Sequence, residues 1–86
     1  MSYPTMADRK ATDDEVRTRA AAIRQLAAGL GLSQVRLRTD GTVVVHTPES
    51  GYGSVRRLSA RATEMVNIYV HVITDDVPGA AGAKDL

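Results

Sequence analysis

Gln34-Val35-Arg36-Leu37-Arg38-Thr39-Asp40-Gly41-Thr42-Val43-Val44-Val45-His46-Thr47 is the segment from which the rest of the chain can be placed. Two short runs rich in apolar β-formers flank Asp40-Gly41, and an Asp-Gly pair supplies the positive φ that a type I′ hairpin turn needs at both central residues. Taken as a two-residue loop, it sets Thr39 opposite Thr42, Leu37 opposite Val44 and Val35 opposite His46. Because side chains alternate along a strand, the core face of this hairpin is then Val35, Leu37, Val44 and His46. Its other face carries Arg36, Arg38, Val43 and Val45, and Pro48 closes the second strand.

Helical patterns lie on both sides of the hairpin. Thr12-Asp13-Asp14-Glu15 has the form of a capping box, with three acids in the first turn to suit the helix dipole. Val16, Ala20, Ile23, Ala27 and Leu30, widened by Leu26, recur at helical spacing and predict one helix to about residue 28. Gly29 or Gly31 ends it in a left-handed cap. After a loop over residues 49–53, a second helix is expected over residues 54–66, with Ser54 as its N-cap and Asn67 as its exit. Val55, Leu58, Ala62 and Met65 form its buried row. Residues 68–73 alternate as a third strand, Ile68, Val70 and Val72 against Tyr69, His71 and Ile73.

The expected fold is therefore α+β, in the order α-β-β-α-β, with two helices packed on one face of a three-stranded sheet. The helix between strands two and three makes a crossover, right-handed if those strands are parallel. Residues 1–11 read as a disordered N-terminal arm, residues 12–77 as a single domain, and residues 78–86 as a flexible C-terminal tail.

Composition narrows the function. With 86 residues and no cysteine, disulfides and thiolate metal sites are excluded and a reducing cytoplasm fits. No apolar run approaches the roughly 20 residues of a membrane span, and no signal-peptide pattern opens the chain. Eleven basic residues against ten acidic ones leave a formal charge of +1, which gives no support to generic nucleic-acid binding. Phe and Trp are absent, so the core must be small and aliphatic, and burial against a partner would help it.

The strongest functional signal is a surplus of apolar residues on the sheet. Val43, Val45, Tyr69 and Ile73, edged by Arg36, Arg38 and His71, face away from the two helices in this reading. An apolar centre with Arg and Tyr and a polar rim is the make-up of a protein interface. A homodimer or another protein partner, met through the sheet face or a strand edge, is the expected outlet.

The helix ending Ile23-Arg24-Gln25-Leu26-Ala27-Ala28-Gly29-Leu30-Gly31-Leu32, followed by Val35-Arg36-Leu37, carries a resemblance, as does the arginine-rich helix leading into Ile68-Tyr69-Val70-His71-Val72-Ile73-Thr74 and Asp75 to Pro78. In this order the chain, over residues 13–79, resembles a minimal nucleotidyltransferase domain of the bacterial toxin–antitoxin type. In that family a Gly-Ser motif follows the first strand and paired aspartates on the second hold metal ions. Here Arg38-Thr39-Asp40-Gly41 and Val43-Val44-Val45-His46 stand in those places. The resemblance thus implies a degenerate, non-catalytic relative with an antitoxin-like or regulatory role, and no catalytic residue carries over.

Other chemistry is thinly represented. Asp40 and Asp75-Asp76 read as turn and strand-end residues rather than converging metal ligands. His46 and His71 fall on opposite sheet faces in the two-residue-loop register, which separates them as ligands. Ser50, Ser54 and Ser59 lack a nucleophile elbow. Gly51-Tyr52-Gly53-Ser54 is a glycine-containing turn before a helix but lacks a P-loop lysine. No catalytic, cofactor or metal site is expected. Arg56, Arg57 and Arg61 form a basic helix surface, a candidate for anion or nucleic-acid contacts, and Arg36, Arg38 and Tyr69 offer a sheet face able to stack bases. A small nucleic-acid-binding domain is the alternative function.

Overall fold

The computed structural model describes residues 9–47, 52–77, 80 and 82–86. Its order is α1 (Asp13–Thr18), α2 (Ala20–Gly29), β1 (Ser33–Leu37), β2 (Val43–His46), α3 (Tyr52–Val66), β3 (Val72–Thr74) and β4 (Lys84–Asp85). The protein is α+β, but the described residues form three helices and a four-stranded mixed sheet in the order β3-β2-β1-β4, not the three-stranded α-β-β-α-β arrangement expected. β1 pairs antiparallel with β2 and β4, while β2 and β3 are parallel neighbours joined by the α3 crossover.

Two local events account for the added elements. The Thr18 hydroxyl donates to the Asp14 carbonyl at 2.8 Å, a back-bond of the kind that bends helices. At Arg19 the backbone leaves helical geometry (φ −111, ψ 22) and its N–H turns to the Val16 carbonyl at 3.0 Å, so one expected helix becomes α1 and α2. At the other end, Lys84 and Asp85 pair with Leu37 and Arg36, and the Leu86 N–H reaches the Val35 carbonyl. Neither Lys nor Asp favours strands, so β4 is made by its partner strand rather than by propensity.

The helix ends follow their sequence signals. Thr12 and Glu15 form the reciprocal capping box, and Arg9 grips both Glu15 carboxylate oxygens at 2.8 and 2.9 Å. Gly31 (φ +78) closes α2 in a Schellman motif, with Leu32 N–H on Ala27 O and Gly31 N–H on Ala28 O. α3 starts at Tyr52, so Ser54 lies inside the helix rather than at its cap, and Asn67 (φ +65) takes the left-handed exit position. The residues read as an arm also contribute: Ala11 is fully buried, and its N–H bonds the Tyr69 carbonyl at 2.7 Å.

The hairpin reverses the chain, but with a different register. Arg38 and Thr42 close a three-residue loop, Thr39-Asp40-Gly41, in which Gly41 has φ +88. That is the common three-residue hairpin, a turn completed by a left-handed glycine. Leu37 therefore faces Val43, and Arg36 faces Val44. Farther along, Gln34 (φ +51) is the extra residue of a bulge, and Ser33 comes opposite His46.

A one-residue slip exchanges the faces. Leu37, Val43, Val45 and Val72 join Val16, Ile23, Ala27, Val55, Leu58 and Ala62 in one buried cluster, against which Val35 packs. The buried side chains of all three helices enter that cluster, so the helices cover a single face of the sheet.

The turn is held by contact as well as by conformation. A Cβ built on Gly41 would collide with the Ala11 carbonyl oxygen and come within 3.0 Å of the Thr12 carbonyl carbon. At Gly31 the φ is similar but nothing lies within 4 Å. Gly31→Ala should therefore cost about 1–2 kcal/mol, the left-handed strain alone. Gly41→Ala should cost distinctly more, since Ala11 must also move; urea denaturation of both variants, with equal losses, would contradict this docking.

Candidate functional site

The sheet face turned away from the helices is where five of the expected site residues meet. Arg36, Val44 and Ile73 form one row across β1, β2 and β3, with Asp85 of β4 beyond Arg36. A second row is Arg38, Thr42 and His71, tied by the Arg38–Thr42 and Val43–His71 backbone bonds. Tyr69 continues this side of the chain by strand alternation. Its hydroxyl lies 2.9 Å from His71 Nδ1, and the two rings are 5.9 Å apart at 42°. Among the described residues Tyr69 and Val77 are the exposed large apolar ones, 40% and 37% accessible, and both border this surface.

Arg36, Arg38, Tyr69, His71 and Ile73 thus share one face. Val43 and Val45 do not belong there: they are fully buried beneath it, because the three-residue turn points them at the helices. Val44 takes their place but is only 1% exposed, so the apolar part of this face is smaller than expected and rests on Ile73, Tyr69 and Val77. Val44, His46, Lys10 and Val77 were not among the expected site residues. The first two were legible only if Gly41 was read as the left-handed residue of a longer loop.

Both histidines also lie on this face, not on opposite faces. Thr42 stands beside His71, so His46 is four residues farther along, about 13 Å at the usual strand rise. His46 Nδ1 instead pairs with Asp75 Oδ2 at 2.9 Å. Among the described residues no three His, Asp or Glu side chains converge as metal ligands. Asp76 accepts from the Thr74 hydroxyl, and Ser59 Oγ is committed to the Val70 carbonyl at 2.6 Å. Ser50 and Gly51 lie outside the described residues; Tyr52, Gly53 and Ser54 are helical.

A shallow depression of about 340 Å³ lies between Lys10, Arg38, Thr42, His71, Ile73 and Val77. Its charges are already matched. Lys10 Nζ donates to Thr42 Oγ1 at 2.8 Å and sits 3.3 Å from Asp40, and Arg38 Nε is 3.6 Å from the same carboxylate. Asp40 also accepts the Thr42 N–H at 3.0 Å. That backbone bond, then the Thr42 and Lys10 side-chain bonds, holds the Asp40 carboxyl down at about 2.

Two further surfaces lie elsewhere. Arg56, Val55, Ser59, Thr63, Tyr69 and Val72 border a groove of about 530 Å³ between α3 and the β3 edge. Within it Ser59 and Thr63 take up both backbone groups of Val70, the carbonyl at 2.6 Å and the N–H at 2.9 Å. Arg57 and Arg61 instead flank Leu26 and Leu30 in a separate groove between α2 and α3. All three arginines are exposed; Arg57 and Arg61 lie away from the sheet face, whereas Arg56 shares its groove with Tyr69 and His71. Among the described residues no helix is long and apolar enough to cross a membrane.

No protein-family model matches the chain, and neither curated proteins nor solved structures give a significant match.

Two carboxylates tie the N-terminal segment to the fold, and both titrate low. Glu15 is held at about 2 by the Arg9 side-chain bond and then by the Thr12 backbone bond. For each group the folded value lies below the ordinary one (4.5 for Glu15, 3.8 for Asp40), so the folded state prefers the ionised form. Their support is present above about pH 4.5 and is lost as pH falls towards 2. The thermal midpoint should drop across that window, and Glu15→Gln with Asp40→Asn should flatten the drop. An unchanged acid slope in the double variant would show that these contacts do not couple to folding.

Proposed function

We propose that this chain is a non-catalytic interaction module whose working surface is the helix-free face of its sheet, and that a second copy is what it meets there. The observation that carries this reading is the one-sided packing: the helices' buried residues all gather under one face of the sheet. The other face keeps Ile73, Tyr69, His71, Arg36 and Arg38 together.

Both signs of charge are present on that face, as a self-complementary contact requires. Arg36 and Arg38 lie on the β1 side, and Asp75, beside His46, at the end of β3. A two-fold axis along β2 would carry the β1 arginines of each copy over the β3 side of the other. Four strands spaced by ~4.8 Å and a few residues long offer far less than the ~800 Å² per partner of a standard interface, so the association is weak. An antitoxin-like or regulatory role, the one that accompanies the nucleotidyltransferase resemblance, would be exerted through such contacts. The β3 edge is the poorer outlet, since Ser59 and Thr63 already occupy Val70.

The Tyr69–His71 ring pair beside Arg38 favours a second reading, a platform for single-stranded nucleic acid. Against it, Lys10 and Arg38 both have Asp40 as a neighbour, which leaves little cationic surplus for phosphates.

Sedimentation over a concentration series distinguishes the two. The protein should self-associate reversibly with Kd between ~10 µM and ~1 mM. Ile73→Lys should weaken this at least ~10-fold while far-UV circular dichroism is unchanged. A strict monomer throughout, with oligouridine binding that falls steeply with salt and is lost in Arg36→Ala/Arg38→Ala, would replace the first reading by the second.

A further inference from the structure

Within the helix layer the charge is uneven: α1 opens with three acids, Asp13, Asp14 and Glu15, whereas α2 and α3 are basic. α2 and α3 carry Arg24, Arg56, Arg57 and Arg61 against a single acid, Glu64. Arg24 is engaged with the Leu86 backbone oxygen at 3.1 Å. The ion pairs among the described residues involve Arg9, Lys10, Arg38 and His46, and none involves an α3 arginine. Arg57 and Arg61 are one turn apart and both line the α2–α3 groove, about 250 Å³, with Leu26, Leu30 and the end of α2 at Gly29. Leu26 and Leu30 are only half-buried although they pack against the core. An apolar floor beside two exposed guanidinium groups is a mixed surface that water satisfies poorly at its centre and well at its rim.

We infer that this groove receives an acidic amphipathic helix of another protein, its carboxylates on Arg57 and Arg61 and its apolar side chain between Leu26 and Leu30. Charge complementarity selects the partner: guanidinium groups match carboxylates in planar, forked geometry. The apolar floor argues against a phosphate backbone, which would leave Leu26 and Leu30 uncovered, and two cations are few for nucleic acid. A second copy is also a poor fit. Among the described residues, its exposed acid beside an exposed large apolar residue is Asp76-Val77, where Asp76 already accepts from Thr74. Joining that segment to this groove would be a head-to-tail contact that need not close. The groove lies on the helix layer, away from the sheet face, so its occupancy does not depend on the proposed dimer.

A labelled peptide of about 18 residues built from Glu, Leu and Ala, with one apolar stripe flanked by Glu, is a direct probe by fluorescence anisotropy. The protein should bind it, and bind a scrambled peptide of equal composition more weakly. Arg57→Ala/Arg61→Ala should lower affinity about tenfold, which is ~1.4 kcal/mol and within reach of two exposed ion pairs. Arg56→Ala, on the other groove, should leave it unchanged. Exposed arginines leave the fold intact on substitution, which circular dichroism checks. Failure to bind the striped peptide, equal binding of the scrambled one, or equal loss in Arg56→Ala would overturn the inference. Oligouridine bound through Arg57 and Arg61 in the peptide's place would overturn it in favour of nucleic acid.

Discussion

The loop Thr39-Asp40-Gly41 rests on the backbone of Ala11, and the arrangement of the sheet depends on that contact. Gly41 comes so near the Ala11 carbonyl that no side chain fits between them. Ala11 in turn bonds Tyr69, and Lys10 reaches Asp40 and Thr42, so the segment before α1 locks the hairpin to the approach of β3. The loop docked there has three residues rather than two, and with it comes the register. The register then decides which of three successive valines face the helices.

From that point the packing is economical. The core uses small aliphatic side chains, the largest fully buried ones being Ile23 and Leu58, so each must sit against a neighbour of matching shape. Polar groups at the periphery are met locally. Thr12 and Glu15 cap α1, Leu32 and Gly31 close α2, and Ser59 with Thr63 takes the outward backbone groups of Val70. Sealing Val70 in this way shortens the length of β3 edge open to a partner strand. The proposed contacts use instead the sheet face, mixed in charge, and the basic groove between α2 and α3.

Much of this could be read from the residues. The capping box at Thr12, the stripe from Val16 to Ala27, the hairpin at Asp40-Gly41 and the arginine-bearing α3 are local signals, and local structure obeys them. What escaped was set by distant contacts. Asp-Gly is compatible with both a two- and a three-residue loop, and the Ala11 backbone on which the observed loop rests is distant in the sequence. Lys84-Asp85 has no strand propensity, yet β1 recruits it. Arg36 stays alternate to Leu37, and Tyr69, His71 and Ile73 stay alternate to Val70 and Val72, because alternation within one strand survives a register shift. Val43 and Val45 were misplaced, and His46 parted from His71, because cross-strand placement does not survive it.

Both proposed surfaces inherit that register: the sheet face owes Ile73 and Arg36 their common row to Val44, and the helix layer is seated by Val43 and Val45. Cross-strand nuclear Overhauser effects test it directly. Contacts of Leu37 with Val43 and of Arg36 with Val44 are predicted, along with methyl contacts from Val43 and Val45 to Ile23 or Leu58. Contacts of Leu37 with Val44 and of Val35 with His46, with Val43 methyl groups open to solvent, would contradict the account.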